Sequence, residues 1–295
     1  MGEHNIHLVD GHVYIFRAHF VMPDMRAPDG TATGAAYGFT NMLLRHCREE
    51  RPSHFAVCFD HAMTSFRNEI EPEYKAQRGE PDEELEPQFD LCREAAEAMR
   101  WPVFEAPGFE ADDVLATLSD QLLDQAGAEV VVHTTDKDLG QLVREDGRLV
   151  LADIGKKGVT DADGVRAKFG VDPDQIPEYL GLVGDKVDNL PGVPGVGAKT
   201  AAAVLQAFGS IDAIPADAEE WAPLALRGAK RAAERIETHR DRALRTRDLA
   251  TVRRDVPGMT PDVADLVLLG PDRDRLTALC ERLGWNRILE RALAE

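Results

Sequence analysis

The chain has 295 residues and a formal net charge of −19, from 53 acids against 34 bases. That length allows one large domain or two modest ones with a proper core. No apolar run approaches the ~18 residues that span a bilayer, the start Met1-Gly2-Glu3-His4-Asn5 lacks a signal-peptide pattern, and Cys47, Cys58, Cys92 and Cys280 offer no C-x-x-C spacing, so a soluble, cytoplasmic chain with reduced thiols is expected.

In chain order, residues 6–9 read as a strand, 35–50 as a helix, 54–59 as a strand and 87–99 as a helix. Strands at 103–105, 129–133 and 148–152 follow, with helical patterns at 111–125 and 139–143 between them. Such β-α alternation predicts an α/β fold with a mostly parallel central sheet flanked by helices. Residues 74–87 are polar and charged, as in a loop or a mobile helical element. After about residue 155 strand-like runs stop, and short helical patterns broken by Gly and Pro predict a helical second region.

Three predicted strands end in an acid: Asp10, Asp60 and Asp136. Ligands in parallel α/β sheets bind beyond the carboxyl ends of the strands. Taken singly, each Asp reads better as a turn or helix N-cap residue, but its recurrence at three strand ends weakens that reading. Glu110, Asp112 and Asp113 open a predicted helix, where acids also suit the helix dipole. Asp138 adds another acid, and Asp185 and Asp188 two more in a Gly/Asp-rich turn. If these groups converge, their repulsion calls for cations, and hard oxygen ligands suit two Mg²⁺ or Mn²⁺ ions. A pair of such ions can hydrolyse a phosphodiester. The overall acidity runs against the basic surface usual for a nucleic-acid binder, but bound cations reverse the local sign.

Residues 190–201 place Gly192, Gly195 and Gly197 before a helix carrying Lys199 and Thr200. Exposed amides, a helix start and a lysine make a cradle for phosphate; an ordinary structural connection is the plainer alternative. Lys230 is a second, weaker contact candidate. Among the acids of the first half lie Arg17, Arg67, Lys75 and Arg78. Tyr74 beside Lys75 suggests base stacking with a phosphate clamp, or equally an ordinary surface segment.

The motifs LVDGH (8–12), YGFTNML (37–43), FDHAMTSFRNE (59–69), YKAQR (74–78), GFEADDVLATL (108–118), TTDKDLGQL (134–142), GDKVDNLPGVPGVGAKTA (184–201), LRGAKRAAE (226–234) and LATVRRDV (249–256) together span nearly the whole chain. As a set it resembles the 5′→3′ exonuclease domain of bacterial DNA polymerase I and its flap-endonuclease relatives. The resemblance implies a PIN-like nuclease core at 1–168, with a helical arch around 74–95. A helical DNA-binding region at 169–295 would carry a helix-hairpin-helix (H3TH) motif at about 178–207. Asp10, Asp60, Glu110 and Asp112 would form one metal cluster and Asp136, Asp138 and Asp188 another, supported by Asp113 and Asp185. Arg17, Arg67, Lys75 and Arg78 would steer the scissile phosphate, and Tyr74 would stand at the base of the arch. Gly192 to Thr200, including Val193, would lie on duplex DNA, in relatives with a K⁺ ion on backbone carbonyls.

The expected activity is 5′→3′ exonuclease and 5′-flap endonuclease cleavage of flapped, nicked or gapped DNA, including RNA-primed ends, by a monomer acting in replication and repair. A non-catalytic branched-DNA-binding module and a metal-dependent ribonuclease are the rival readings. No polymerase segment follows Glu295, which fits either a stand-alone nuclease or a fragment. No role is assigned to Trp285, for which packing of the C-terminal segment is the default expectation.

Overall fold

A computed structural model of the chain describes residues 4–294 apart from 23, 80, 126 and 225. Its strands in the first half are β1 (His4–Asp10), β2 (His54–Cys58), β3 (Val103–Phe104), β4 (Ala128–His133), β5 (Leu149–Ala152) and β6 (Val159–Thr160). Among the described residues they form one six-stranded sheet in the order β3-β2-β1-β4-β5-β6, parallel except for β6. The five predicted strands are all present.

Side chains alternate between the faces of the sheet, as strand geometry requires. Ile6 and Leu8 of β1 and Ala56 and Cys58 of β2 join a core shared with the helical half of the chain. Val9 of β1 and Phe55 and Val57 of β2 face the opposite core. Helices α1 (Gly11–Val21), α2 (Gly34–Glu50), α3 (Phe66–Ile70), α4 (Glu86–Ala98) and α5 (Ala111–Leu123) complete the first half. Helix α1 was not predicted, although its buried residues Gly11, Tyr14, Ile15 and Ala18 follow the i, i+3, i+4, i+7 stripe of an amphipathic helix. The helix expected at 139–143 is a 3₁₀ turn, Asp138–Leu142.

The second half contains α6 (Ala162–Phe169), α7 (Ile176–Val183), α8 (Ala198–Phe208), α9 (Ala229–Thr238), α10 (Arg240–Ala250), α11 (Arg273–Leu283) and α12 (Asn286–Leu293). It is not purely helical: β7 (Gly184–Asp185) and β8 (Leu190–Pro191) pair antiparallel between α7 and α8. Leu276, Leu279, Leu283, Trp285 and Ile288 pack into the α1–α2–α4 core rather than into a separate unit. The arch expected at 74–95 is also narrower than predicted. Residues 76–78 form a 3₁₀ turn, and α4 is a core helix burying Phe89, Leu91 and Cys92. Among the described residues no helix is long and apolar enough to cross a membrane.

Candidate metal centre and nucleic-acid interface

The parallel register brings the carboxyl ends of β1, β2 and β4 together, and the acids collect there. Asp10 ends β1 and caps α1, accepting from the Val13 amide at 3.4 Å and from Thr134 Oγ1 at 2.9 Å. Asp60 follows β2 and accepts from the Ala111 amide at 2.7 Å, which ties it to the start of α5. Its amide donates to His12 Nδ1 at 3.1 Å, so the His of the LVDGH motif holds the neighbouring strand end. Glu110 caps α5 and Asp112 lies in its first turn. Asp136 accepts from the Asp138 amide at 2.8 Å in the turn after β4. Asp185 and Asp188 arrive from the β7–β8 hairpin, so the second half completes the edge.

Electrostatics mark this edge as crowded with negative charge. Burial, then Asp60 and Asp136, raise the Asp10 carboxyl to about 7. Burial and the neighbouring Asp136 raise Asp138 to about 8. Asp112 is pushed well up by burial, Asp136 and Asp10, and Asp136 is raised by burial and Asp188. One oxygen of Asp138 is buried without a hydrogen-bond partner. Buried like charges, and a buried carboxylate oxygen that makes no hydrogen bond and meets Lys137 Nζ at 3.6 Å, fit a site for hard divalent cations.

Basic groups balance part of this charge. Lys75 Nζ lies 2.7 Å from Glu110 and 3.9 Å from Asp188. Burial alone would lower its pKa, but Glu110, Asp188 and Asp112 outweigh that and keep it charged. Arg78 Nη2 meets Asp188 at 2.5 Å, and Lys137 pairs with Asp185. Lys75 and Asn189 both adopt positive φ, 55° each. The Lys75 amide donates to the Asp188 carbonyl at 3.0 Å and the Asn189 side chain to the Glu73 carbonyl at 2.7 Å, stitching the two halves across the site. Left-handed backbone at non-glycine residues clusters at functional sites.

Some expected residues stand elsewhere. Arg67 is 2% exposed and grips Asp113 with Nη1 at 2.7 Å and Nη2 at 2.8 Å, while its Nε donates to the Leu249 carbonyl. Asp113 also accepts from the amides of Glu110 and Arg253. The pair locks α5 to α3 and α10, and Arg67 Nη1 also lies 3.8 Å from Glu110 Oε2, so it backs the carboxylate edge from the buried side. Tyr74 is 3% exposed, and its hydroxyl donates to Glu110 at 3.1 Å and lies 3.2 Å from Asp188. It bridges carboxylates and has no open ring face for a base. Arg17 pairs with Asp153 at 2.7 Å beyond β5. Residues unforeseen in the sequence are Thr134, His12, Ser65 and Lys137; Ser65 donates to Glu110 at 2.8 Å. Only their closeness to the acid motifs signalled them.

The glycine-rich turn has the tight geometry expected. A Cβ on Gly192 would lie 2.3 Å from the Val183 carbonyl carbon, so the hairpin closes only around glycine. Gly197 caps α8 without a side-chain bond to its first amides, and Lys199 is exposed beside it. Val193 and Val196 are buried and anchor the turn instead of facing outward. Arg235 Nη1 donates to the Gly195 carbonyl at 3.4 Å, placing a guanidinium beside the carbonyls expected to hold K⁺. Thr200 is half-buried, and Lys230 is exposed at the start of α9.

The chain is 40% identical over 289 residues to DNA polymerase I of Bacillus caldotenax, covering 96% of this chain and 32% of that protein. DNA polymerase I of Pseudomonas aeruginosa is 38% identical over 296 residues, again across 32% of its length. The chain thus spans about a third of the length of these relatives. T5 5′-exonuclease with bound zinc aligns with a TM-score of 0.66 at 22% identity, covering 98% of this chain and 99% of that one. The catalytic core of Rad2 in complex with DNA substrate aligns with a TM-score of 0.63 at 17% identity, covering 99% and 93%. The 5′-3′ exonuclease N-terminal resolvase-like domain matches residues 5–170 and the 5′-3′ exonuclease C-terminal SAM fold matches 171–274, so the chain belongs to the 5′-3′ exonuclease family.

Proposed function

We propose that this chain hydrolyses DNA phosphodiesters near the 5′ end of flapped, nicked or gapped duplexes, with divalent cations held at the carboxylate edge. The observation that carries the reading is the row of acids at the carboxyl edge of the sheet, among which Asp10, Asp112, Asp136 and Asp138 have their protonation raised by burial and by neighbouring carboxylates. Asp10, Asp60, Glu110 and Asp112 would hold one ion and Asp136, Asp138 and Asp188 a second, with Asp185 in support. Two Mg²⁺ ions suit these oxygen donors, and Mn²⁺ is expected to substitute. Such ions supply Lewis acidity toward the phosphate and lower the pKa of water.

The chain's own residues then do the following. Lys75 and Arg78, which neutralise Glu110 and Asp188 here, would turn to a phosphate at the same edge if cations held those carboxylates. They would stabilise charge developing on its oxygens. The Tyr74 hydroxyl keeps Glu110 and Asp188 in register. Arg17, which pairs with Asp153 beyond β5, would steer the phosphate only after leaving that partner. Gly192 to Thr200, with Lys199, and Lys230 on α9, would hold the duplex by its backbone without reading sequence. An RNA-primed 5′ end, a monomeric state and K⁺ at the hairpin belong to the same reading.

The test is cleavage of a 5′-labelled flap duplex with Mg²⁺ or EDTA, by wild type and Asp136→Ala. Cutting near the junction should need the metal and fall by roughly 10²–10³-fold in the variant, the loss typical of removing one transition-state contact. Binding without cutting, unchanged by the substitution, would replace this reading with a non-catalytic DNA-binding module.

A further inference from the structure

Behind the carboxylate edge lies a group of side chains with different chemistry. His7 on β1 and His133 on β4 share the sheet face covered by α2, since His7 pairs with Val131 and Val9 with His133. His46 projects from α2 onto them. All three are buried, at 6%, 6% and 3% exposure. His7 Nδ1 lies 2.9 Å from His46 Nε2 and 3.0 Å from His133 Nε2. The ligand nitrogens of the three rings lie within 4.8 Å of one another.

Protons alone satisfy this arrangement poorly. His7 Nδ1 has either one lone pair or one N–H, so a single hydrogen bond serves one of its two short contacts and leaves the other unserved. His133 Nδ1 is buried with no hydrogen-bond partner, so no chain of imidazoles continues past it. Three lone pairs converging on a cation would satisfy all three nitrogens at once. Around a tetrahedral zinc with Zn–N of about 2.0–2.1 Å, ligand nitrogens stand about 3.3–3.4 Å apart. The two pairs made by His7 would open by a few tenths of an ångström to meet that spacing, and the His46–His133 pair, within 4.8 Å, would adjust to it.

We propose that His7, His46 and His133 form a binding site for one transition-metal ion of zinc's class, chemically distinct from the carboxylate edge. Neutral imidazole selects zinc, copper or nickel over the hard cations that carboxylates prefer. Burial holds His7 and His46 at about 4 and His133 well below its usual value, so the rings are neutral at physiological pH, as ligation requires. Because the three ligands come from β1, β4 and α2, the ion clamps α2 onto the centre of the sheet. Its role is structural: it touches none of the acids and leaves the mechanism above unchanged. The inference does not rest on the nuclease reading.

The experiment is to refold the full chain from denaturant with one equivalent of Zn²⁺, or with EDTA, so that a buried site can load as it forms. Zinc content, X-ray absorption at the zinc edge and thermal unfolding are then measured for wild type, Asp136→Asn, which weakens the carboxylate site, and His46→Leu. Wild type and Asp136→Asn should both retain one zinc with imidazole scattering, and unfold about 5–10 °C higher than after EDTA. His46→Leu should lose both the zinc and the shift. If that variant does not refold, the wild-type spectrum decides alone. Zinc bound through oxygen only, zinc content and shift unchanged in His46→Leu, or no zinc retained by Asp136→Asn would overturn the proposal.

Discussion

At the scale of single residues, the same side-chain type serves different ends according to burial. Lys75 and Arg67 both face carboxylates. Lys75 sits at the open edge between Glu110 and Asp188, whereas Arg67 is sealed against Asp113 under α10. Removing one partner of a buried ion pair strands the other charge without water. Arg67→Met should therefore cost roughly 3–5 kcal/mol in urea unfolding. Arg67→Lys should recover little of that, because a point ammonium cannot reproduce the two-pronged contact. A variant that folds as stably as wild type but loses cleavage would instead put Arg67 on the phosphate.

At the scale of elements, the hairpin between α7 and α8 shows how glycine is used for close approach. Gly192 packs its backbone against Val183 and Gly184 with no space for a methyl group, and Gly184 adopts φ 77°. The same turn carries Asp185 and Asp188 to the carboxylate edge, so under the proposed function one short segment would serve both duplex and metal binding. Gly192→Ala should move the turn, weaken duplex binding by about tenfold or more in a titration, and lower thermal stability. Lys199→Ala makes a cleaner contrast. It should weaken binding across all sequences and reduce the salt slope of log K by about 1, the signature of one lost phosphate contact. Equal salt slopes would remove Lys199 from the interface.

At the scale of the whole molecule, two features stand out. The first is that the C-terminal helices belong to the N-terminal core. Trp285 is 1% exposed and meets Tyr37 edge-on at 5.7 Å. Trp285→Ala should cost about 3–5 kcal/mol, as large-to-small core changes do, measured as a drop in the urea midpoint with the denaturant slope unchanged. The second is the acid edge. Asp10 and Asp138, with an ordinary value of 3.8, are raised in the fold to about 7 and about 8. A carboxyl raised by folding binds more protons in the native state, so its contribution is present below its unfolded value and is lost as pH rises through the folded one. Metal-free protein should therefore lose thermal stability between about pH 4 and pH 8 through these groups, while acids such as Glu110, lowered from an ordinary 4.5, lose their own contribution only below that value. Saturating Mg²⁺ should restore stability most at the upper end of that window. A midpoint that ignores Mg²⁺ at pH 8 would count against cations at this edge.

The sequence by itself determined the strands, the strand-end acids, the glycine turn and the family. Period-two patterns, terminal Asp residues and Gly spacing are local signals that need no folding to be read. Helix α1 was less legible, because Val13, Phe16, Phe20 and Val21 are apolar outside its buried stripe and blur the helical period. What only the tertiary structure decided was which side chains are free. Arg67 and Asp113 sit among the functional motifs yet are spent on each other, and Tyr74 lies under the edge instead of beside a base. The return of α11 and α12 to the first core was likewise invisible, since an apolar stripe does not name the surface it will cover. So was the meeting of His7, His46 and His133: residues 126 positions apart become neighbours only through the parallel register of β1 and β4 and the seat of α2 on that face.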